Sequence, residues 1–329
     1  MESTIASAAC GFNIKCTKIF RDKFGYICAT DKGHVRLQRP ARSQAFAAHG
    51  NFAHVAAEPA LLEYIAFQHV VKERLHESGI GVDRFLVSAQ GTPYFVQGTE
   101  CFVASYAQTC PNAAFAVPSE FLAVVAVIAQ MHAAVSFAAD TPPYHAKTTD
   151  AGKQLANLSV LKRKLLRTGK FSEFDMLFLK GCDALAGHIE KWAANADAYN
   201  PLDNPRYFCH NLLKEENVYN DNGAIIITNF SECGTGHYLL DLAYLIKRCL
   251  KTQPAQLAPL DAVLDTYHRH HPAADFQRDD FNHILLYPDK FVKVTADYYS
   301  KKRAFAPKTY ISRIEECLLA NDEMKKYIG

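Results

Sequence analysis

Apolar residues recur at helical spacing through AEPALLEYIAFQHVVKERLHESG, from Ala57 to Gly79. Pro59 stands near the start and Gly79 at the end, so the pattern predicts a helix. On either side the period shortens. FGYICAT, the turn Asp31 to Gly33 and HVRLQR read as a β-hairpin. RFLVSAQGTPYFVQGTECFVASYA reads as short strands parted by QGTP and QGTE turns. The N-terminal part therefore predicts a small antiparallel sheet with one long helix.

From Pro118 onward helices dominate. FLAVVAVIAQMHAAVSFAA, Phe121 to Ala139, has about the length that spans a bilayer. Gln130 and His132 interrupt it, Ala outnumbers Leu, and no Lys or Arg stands close by, so it reads as a helix buried in a soluble domain. Ser119 is a candidate N-cap, with Glu120 in the first turn. Two amphipathic helices follow, joined at Gly169 to Ser172. NVYNDNGAIIITNF is a second hairpin with Asn222-Gly223 at its turn, and helices resume from HYLLDLAYLIKRCLK through a long run beginning at Arg278. The predicted class is α+β in two lobes, with any site in the cleft between them. Residues 1–108 form a small antiparallel-sheet lobe with one helix. Residues 109–329 form a larger helical lobe with an embedded β-hairpin.

The 329-residue chain is 49% apolar and 21% charged with a net charge of +2. That balance lacks the basic excess of a nucleic-acid binder. The ten cysteines form no CxxC pair, which disfavours a zinc ribbon, and they read as reduced, mostly buried thiols. The N-terminus has no basic region of the signal-peptide kind, so a cytoplasmic protein is expected. The histidines of YHRHHP, Tyr267 to Pro272, read as cations at a helix end before a proline stop.

Phosphoryl transfer needs a carboxylate to orient the attacking hydroxyl, an amide or carboxylate pair to hold Mg²⁺, and a Lys on the phosphates. FCHNLLKEENVYNDNGAIIITNF, Phe208 to Phe230, has the matching rhythm. His210 is followed seven residues on by Asn217, then a hairpin, then Asn229-Phe230, then Asp241-Leu242-Ala243. This resembles the aminoglycoside and choline phosphotransferases, with their H-x-D-x-x-x-x-N loop, hairpin, acidic metal ligand and downstream D-L-A. IAQMHAAV resembles the helix before that loop, and ECFVASYAQT the strand and hinge between lobes, with Tyr106 as the hinge candidate. YPDKFVKVTADYYSKKRAFAPKTYISRIEECL is similar to the C-terminal signature of the spore-coat CotS family of kinase-like proteins. The resemblance implies a protein-kinase-like two-lobe fold with a catalytic-loop remnant at 208–243.

The chain departs from that pattern where charge is needed. Leu212 stands where the proton-orienting Asp belongs, and loss of a positioned base costs about 10²–10⁴ in rate. Asn229 replaces the metal-binding Asp, Ser231 occupies the next acidic position, and the phosphate Lys reads as Gln38, with Arg36 or Arg39 as other registers. The glycine-rich loop is reduced to Gly25. His210, Asn217 and Asp241 are retained. Their structural readings are a hydrogen-bonded core histidine, a turn residue and a helix-start anchor. Asn217 and Asn229 are weak metal candidates. Glu215, Glu216, Asp221 and Glu232 are the nearby carboxylates from which a displaced metal ligand would come. The expectation is therefore a catalytically inactive pseudokinase of the CotS type. It would act through contacts with other coat proteins and be deposited on the forming spore coat. No cofactor, nucleic-acid partner or membrane span is expected. Two other readings stay open. One is a divergent phosphotransferase using ATP and Mg²⁺ on a hydroxyl of an aminoglycoside, choline or sugar. The other is a cleft that binds a nucleotide or other small molecule without turnover.

Overall fold

The computed structural model describes residues 2–22, 25–31, 33–40, 59–137, 151–195, 207–252, 257–300 and 307–329. Strands β1 (Lys18–Arg21), β2 (Tyr26–Thr30), β3 (Gly33–Gln38), β5 (Phe95–Gln97) and β6 (Glu100–Tyr106) make an antiparallel sheet in the order β1-β2-β3-β6-β5. The first predicted hairpin is β2–β3, with Cys28 opposite Val35. RFLVSA forms only a bridge, Phe85 to Ser105, where a strand was expected.

Strand alternation gives the sheet two buried faces. Val35, Leu37, Phe102 and Ala104 pack under α1 (Glu2–Gly11), through Ile5, Ala8 and Ala9, and under Phe12 just beyond it. Cys101 and Val103 meet Leu61 and Ile65 of α2 (Pro59–Glu77) on the other face. The N-terminal lobe thus carries a second helix beyond the expected one. Its buried hydrophobic residues, Ile5, Ala8 and Ala9, stand at helical spacing, but two of the three are alanines, so the apolar stripe is faint.

A short strand, β4 (Gly81–Val82), follows α2 and pairs parallel with β9 (Ala224–Ile227), which pairs antiparallel with β8 (Val218–Asp221). The smaller lobe is thereby stitched into the larger one. The β8–β9 turn places Asn222 at φ 52° and Gly223 at φ 97°. Asn and Gly tolerate that left-handed backbone, which matches the twist of the flanking strands.

The core of the larger lobe is built around α3 (Pro118–Ala134), which buries Phe121, Val124, Val125, Ile128, Ala129, Met131 and His132. Its N-cap is Val117, not Ser119, because Pro118 is preorganised for the first helical position and starts the helix two residues earlier. Among the described residues no helix is long and apolar enough to cross a membrane; Ala138 and Ala139 of the apolar run lie outside them. Helices α4 (Ala151–Thr168) and α5 (Glu173–Asn195) are split at Gly169. Ser172 caps α5, its Oγ taking the Asp175 N–H at 3.2 Å while the Asp175 carboxylate takes the Ser172 N–H at 2.9 Å. The lobe closes with α6 (Tyr238–Thr252), α7 (Leu260–His270), α8 (Arg278–Leu286), α9 (Asp289–Ser300) and α10 (Pro307–Ile328). The single C-terminal run expected from Arg278 is three helices, the first break falling at Pro288. The YHRHHP histidines do end a helix, α7.

Candidate functional site

Strand β7 (Tyr207–Cys209) delivers the loop, and β10 (Gly234–Gly236) flanks it. The His210 ring is fully buried. A carbonyl only accepts, so Nε2, 3.1 Å from the Thr228 oxygen, carries the proton. Nδ1 then accepts the Leu212 N–H at 3.3 Å. Burial holds its pKa below the usual histidine value. A neutral ring with both nitrogens engaged inside the loop is a brace.

Asp241, in the first turn of α6, braces the same loop from below. Its Oδ2 accepts the His210 backbone N–H at 2.5 Å and its Oδ1 accepts that of Asn211 at 2.8 Å. Asn211 sits at φ 61°, a conformation Asn tolerates better than most residues. His132 of α3 faces Asp241 Oδ2 through Nε2 at 3.4 Å and the Tyr267 hydroxyl through Nδ1 at 2.7 Å. Burial opposes the Asp241 charge, but His132, His210 and the Asn211 N–H outweigh it and lower its pKa.

Asn217 ends a one-turn 3₁₀ helix, Glu215–Asn217. Its side-chain amide donates to the Leu212 carbonyl at 2.9 Å. Its Oδ1 accepts from Asn229 Nδ2 at 3.3 Å. The two candidate metal ligands therefore hydrogen-bond each other. Asn229 adopts φ 63°, and its backbone N–H donates to Asp83 Oδ2 at 3.2 Å.

Asp83 belongs to the interlobe cleft, and no sequence motif singled it out. It follows β4 and holds Lys72 of α2, whose Nζ lies 3.0 Å from Asp83 Oδ1 and donates to the Asp83 carbonyl at 2.8 Å. Lys72 is 1% exposed, with its ammonium 3.8 Å from the Phe85 ring centroid and 5.2 Å from that of Phe230. Tyr64, two turns earlier, donates to the Cys233 carbonyl at 2.7 Å. These bonds bolt α2 to the loop of the other lobe.

Gln38, Gln68, Lys72, Asp83, Asn229 and Ser231 line one cavity of about 20 Å³, room for roughly one water. The sheet register puts Gln38 opposite Val103 and on this cavity. Arg36 bonds Asp22 at 3.1 Å, and Arg39 bonds Glu100 at 2.6 Å. Leu212 is half-buried, and Tyr106 lies exposed at the end of β6. Glu215, Glu216 and Asp221 are exposed, and none of these or Glu232 lines the cavity. Hard divalent cations take six or more oxygen ligands, carboxylates prominent among them. Two neutral amides bonded to each other, and a single carboxylate already neutralised by Lys72, fit such an ion poorly. Among the described residues no group of three His, Cys, Asp or Glu is placed to hold a metal.

Sequence reasoning missed Lys72, Asp83, Gln68 and Tyr64. The available signal was position. Leu61, Ile65, Gln68, Lys72 and Leu75 share the buried stripe of α2, so two polar residues sit where the helix needs apolar ones.

No protein-family model matches the chain, and no curated protein matches it in sequence. Solved structures do. An aminoglycoside phosphotransferase from Alicyclobacillus acidocaldarius superposes with a TM-score of 0.71 at 14% identity, over 98% of this chain and 93% of the other. Amicoumacin kinase hAmiN, solved with AMP-PNP, Ca²⁺ and Ami, gives 0.61 at 13% identity, over 99% and 94%. Choline kinase LicA from Streptococcus pneumoniae gives 0.50 at 12% identity, over 99% of each chain. Together with the antiparallel sheet, the helical lobe and the β7-to-α6 loop, these likenesses show that the chain has the kinase-like fold of aminoglycoside phosphotransferases and choline kinases.

Proposed function

We propose that this chain is a non-catalytic member of the phosphotransferase fold, acting through protein contacts in the spore coat, as CotS-type proteins would. The observation that carries the non-catalytic part is the Asn229–Asn217 pair. Where the chemistry needs charge around a metal, two amides bond each other at 3.3 Å. Leu212 supports it by leaving the attacking hydroxyl without an acceptor. The coat assignment is supported by the C-terminal sequence signature. The chain would be made in the cytoplasm and deposited on the forming coat.

Titration of the purified chain with ATP, with and without Mg²⁺, alongside a phosphate-release assay, tests the first part. No Mg²⁺-dependent turnover is expected, and turnover abolished by Asn217→Ala would sink the reading. A fluorescent fusion followed through sporulation tests the second, where diffuse signal at the coat stage counts against it.

One observation favours a different reading. Asp83 brings a carboxylate to the Asn229 side of the cleft, and the neighbouring folds include a choline kinase and aminoglycoside phosphotransferases. A divergent transferase acting on a hydroxyl would use Asp83 with ATP. Binding of nucleotide without hydrolysis would instead mark a ligand-binding pseudokinase.

A further inference from the structure

Lys72 is absent from the phosphotransferase motif, yet it places a buried positive charge in the interlobe cleft. Its ammonium lies 3.0 Å from Asp83 Oδ1, and the other Asp83 oxygen holds the Asn229 N–H at 3.2 Å. Phe85 and Phe230 wall the ammonium at 3.8 and 5.2 Å. We propose that Lys72 is a built-in cation that takes the electrostatic place of a divalent metal, and that it excludes one from the cleft as firmly as Asn229 does. This inference rests on the non-catalytic reading above and names the residue that enforces it.

Three features carry it. Among the described residues that line the cavity, Asp83 is the only carboxylate, and a metal could recruit it only by displacing an ammonium that is 1% exposed. That ammonium would then be buried without a counterion, an arrangement proteins tolerate poorly. Like charges a few ångströms apart also repel strongly where water is scarce, and the cavity of about 20 Å³ offers little screening. The consequence is specific. Restoring a carboxylate at position 229 alone gives Lys72 a second partner, not a metal site.

The test compares Mn²⁺-dependent melting of the wild type, Asn229→Asp, Lys72→Gln and the Lys72→Gln/Asn229→Asp double variant, each without nucleotide. Only the double variant should melt higher with Mn²⁺, by about 5 °C when free metal stands near 100 times its Kd. A shift in Asn229→Asp equal to that of the double variant would overturn the proposal, as would no shift in the double variant. If the double variant loses cooperative melting, Lys72→Met/Asn229→Asp replaces it; this variant keeps both carboxylates and should rise by the same shift of about 5 °C. In Lys72→Gln/Asp83→Asn/Asn229→Asp, Asp83 and Asn229 have exchanged chemistry, so one carboxylate and one amide remain as in the wild type without Lys72, and a shift well below that one is expected. Mn²⁺-dependent stabilisation of the wild type together with ATP turnover would instead defeat the non-catalytic reading itself.

Discussion

Asp241 Oδ1 accepts the backbone N–H of Asn211 at 2.8 Å, across thirty positions of sequence. The other carboxylate oxygen takes the His210 N–H and faces His132. One acid thus fixes the start of the loop to α3 and α6. Retention of this residue is explained by architecture alone. Asp241→Ala leaves buried N–H groups and His132 without their acceptor. It should cost about 3–5 kcal/mol in urea denaturation. A loss under about 1 kcal/mol would show that the loop holds its shape without the brace.

Acid should destabilise the fold from near neutrality. Burial lowers the pKa of His210, of His271 and of His237, the last to about 4. A depressed folded value means that the unfolded chain binds protons first. The contribution is complete above the unfolded value of about 6.5 and is lost as pH falls through the folded value. His237, lowered to about 4, should contribute a slope of up to about 1.4 kcal/mol per pH unit between roughly pH 6 and 4, and His210 and His271 act in the same direction. Denaturation midpoints measured across that window check this. His237→Gln should flatten the slope. Equal stability at pH 7.5 and pH 5 would contradict the assignment.

Gly181 sits inside α5 against Phe291 of α9. A methyl added there would stand 2.7 Å from Phe291 Cζ. Helix propensity favours Ala over Gly by about 1 kcal/mol, while overpacking costs about 1–3 kcal/mol. The rigid ring should decide the outcome, so Gly181→Ala is expected to lower the melting temperature. A rise would mean that the α5–α9 contact yields.

The thiols should react in the order of their exposure. Cys10 is exposed, Cys16 and Cys110 are half-buried, and the other seven are buried. Burial pushes Cys182, Cys233 and Cys249 up to about 12, which leaves little thiolate at neutral pH. Iodoacetamide on the native chain, read by peptide mass spectrometry, should label Cys10 first. Early labelling of Cys233 would show that the Tyr64 contact between the lobes opens readily. This order also restricts oxidative cross-linking of the folded chain to Cys10, Cys16 and Cys110.

The local grammar of the chain was legible because it rests on short-range physics. The stripe from Leu61 to Leu75 predicts α2, Asn222-Gly223 predicts the β8–β9 turn, and the spacing from His210 to Asp241 predicts one loop held by one helix. Leu212 and Asn229 announced missing charge by identity alone. The faint stripe of α1 and the bridge-only segment at Phe85 were less readable, because alanine buries little area and a strand needs a partner to form.

What fills the cleft depended on tertiary structure. Gln38, not Arg36 or Arg39, faces the cavity because β3 pairs with β6 in one register, and a shift of one residue would turn the other face inward. Lys72 and Asp83 are unremarkable as letters in a sequence. They become a buried ion pair only when α2 packs beside β4, which pairs with β9, and Phe85 and Phe230 wall the ammonium. Residue types set which charges the chain owns. The packing of the two lobes decides which of them lose their solvent and must find each other.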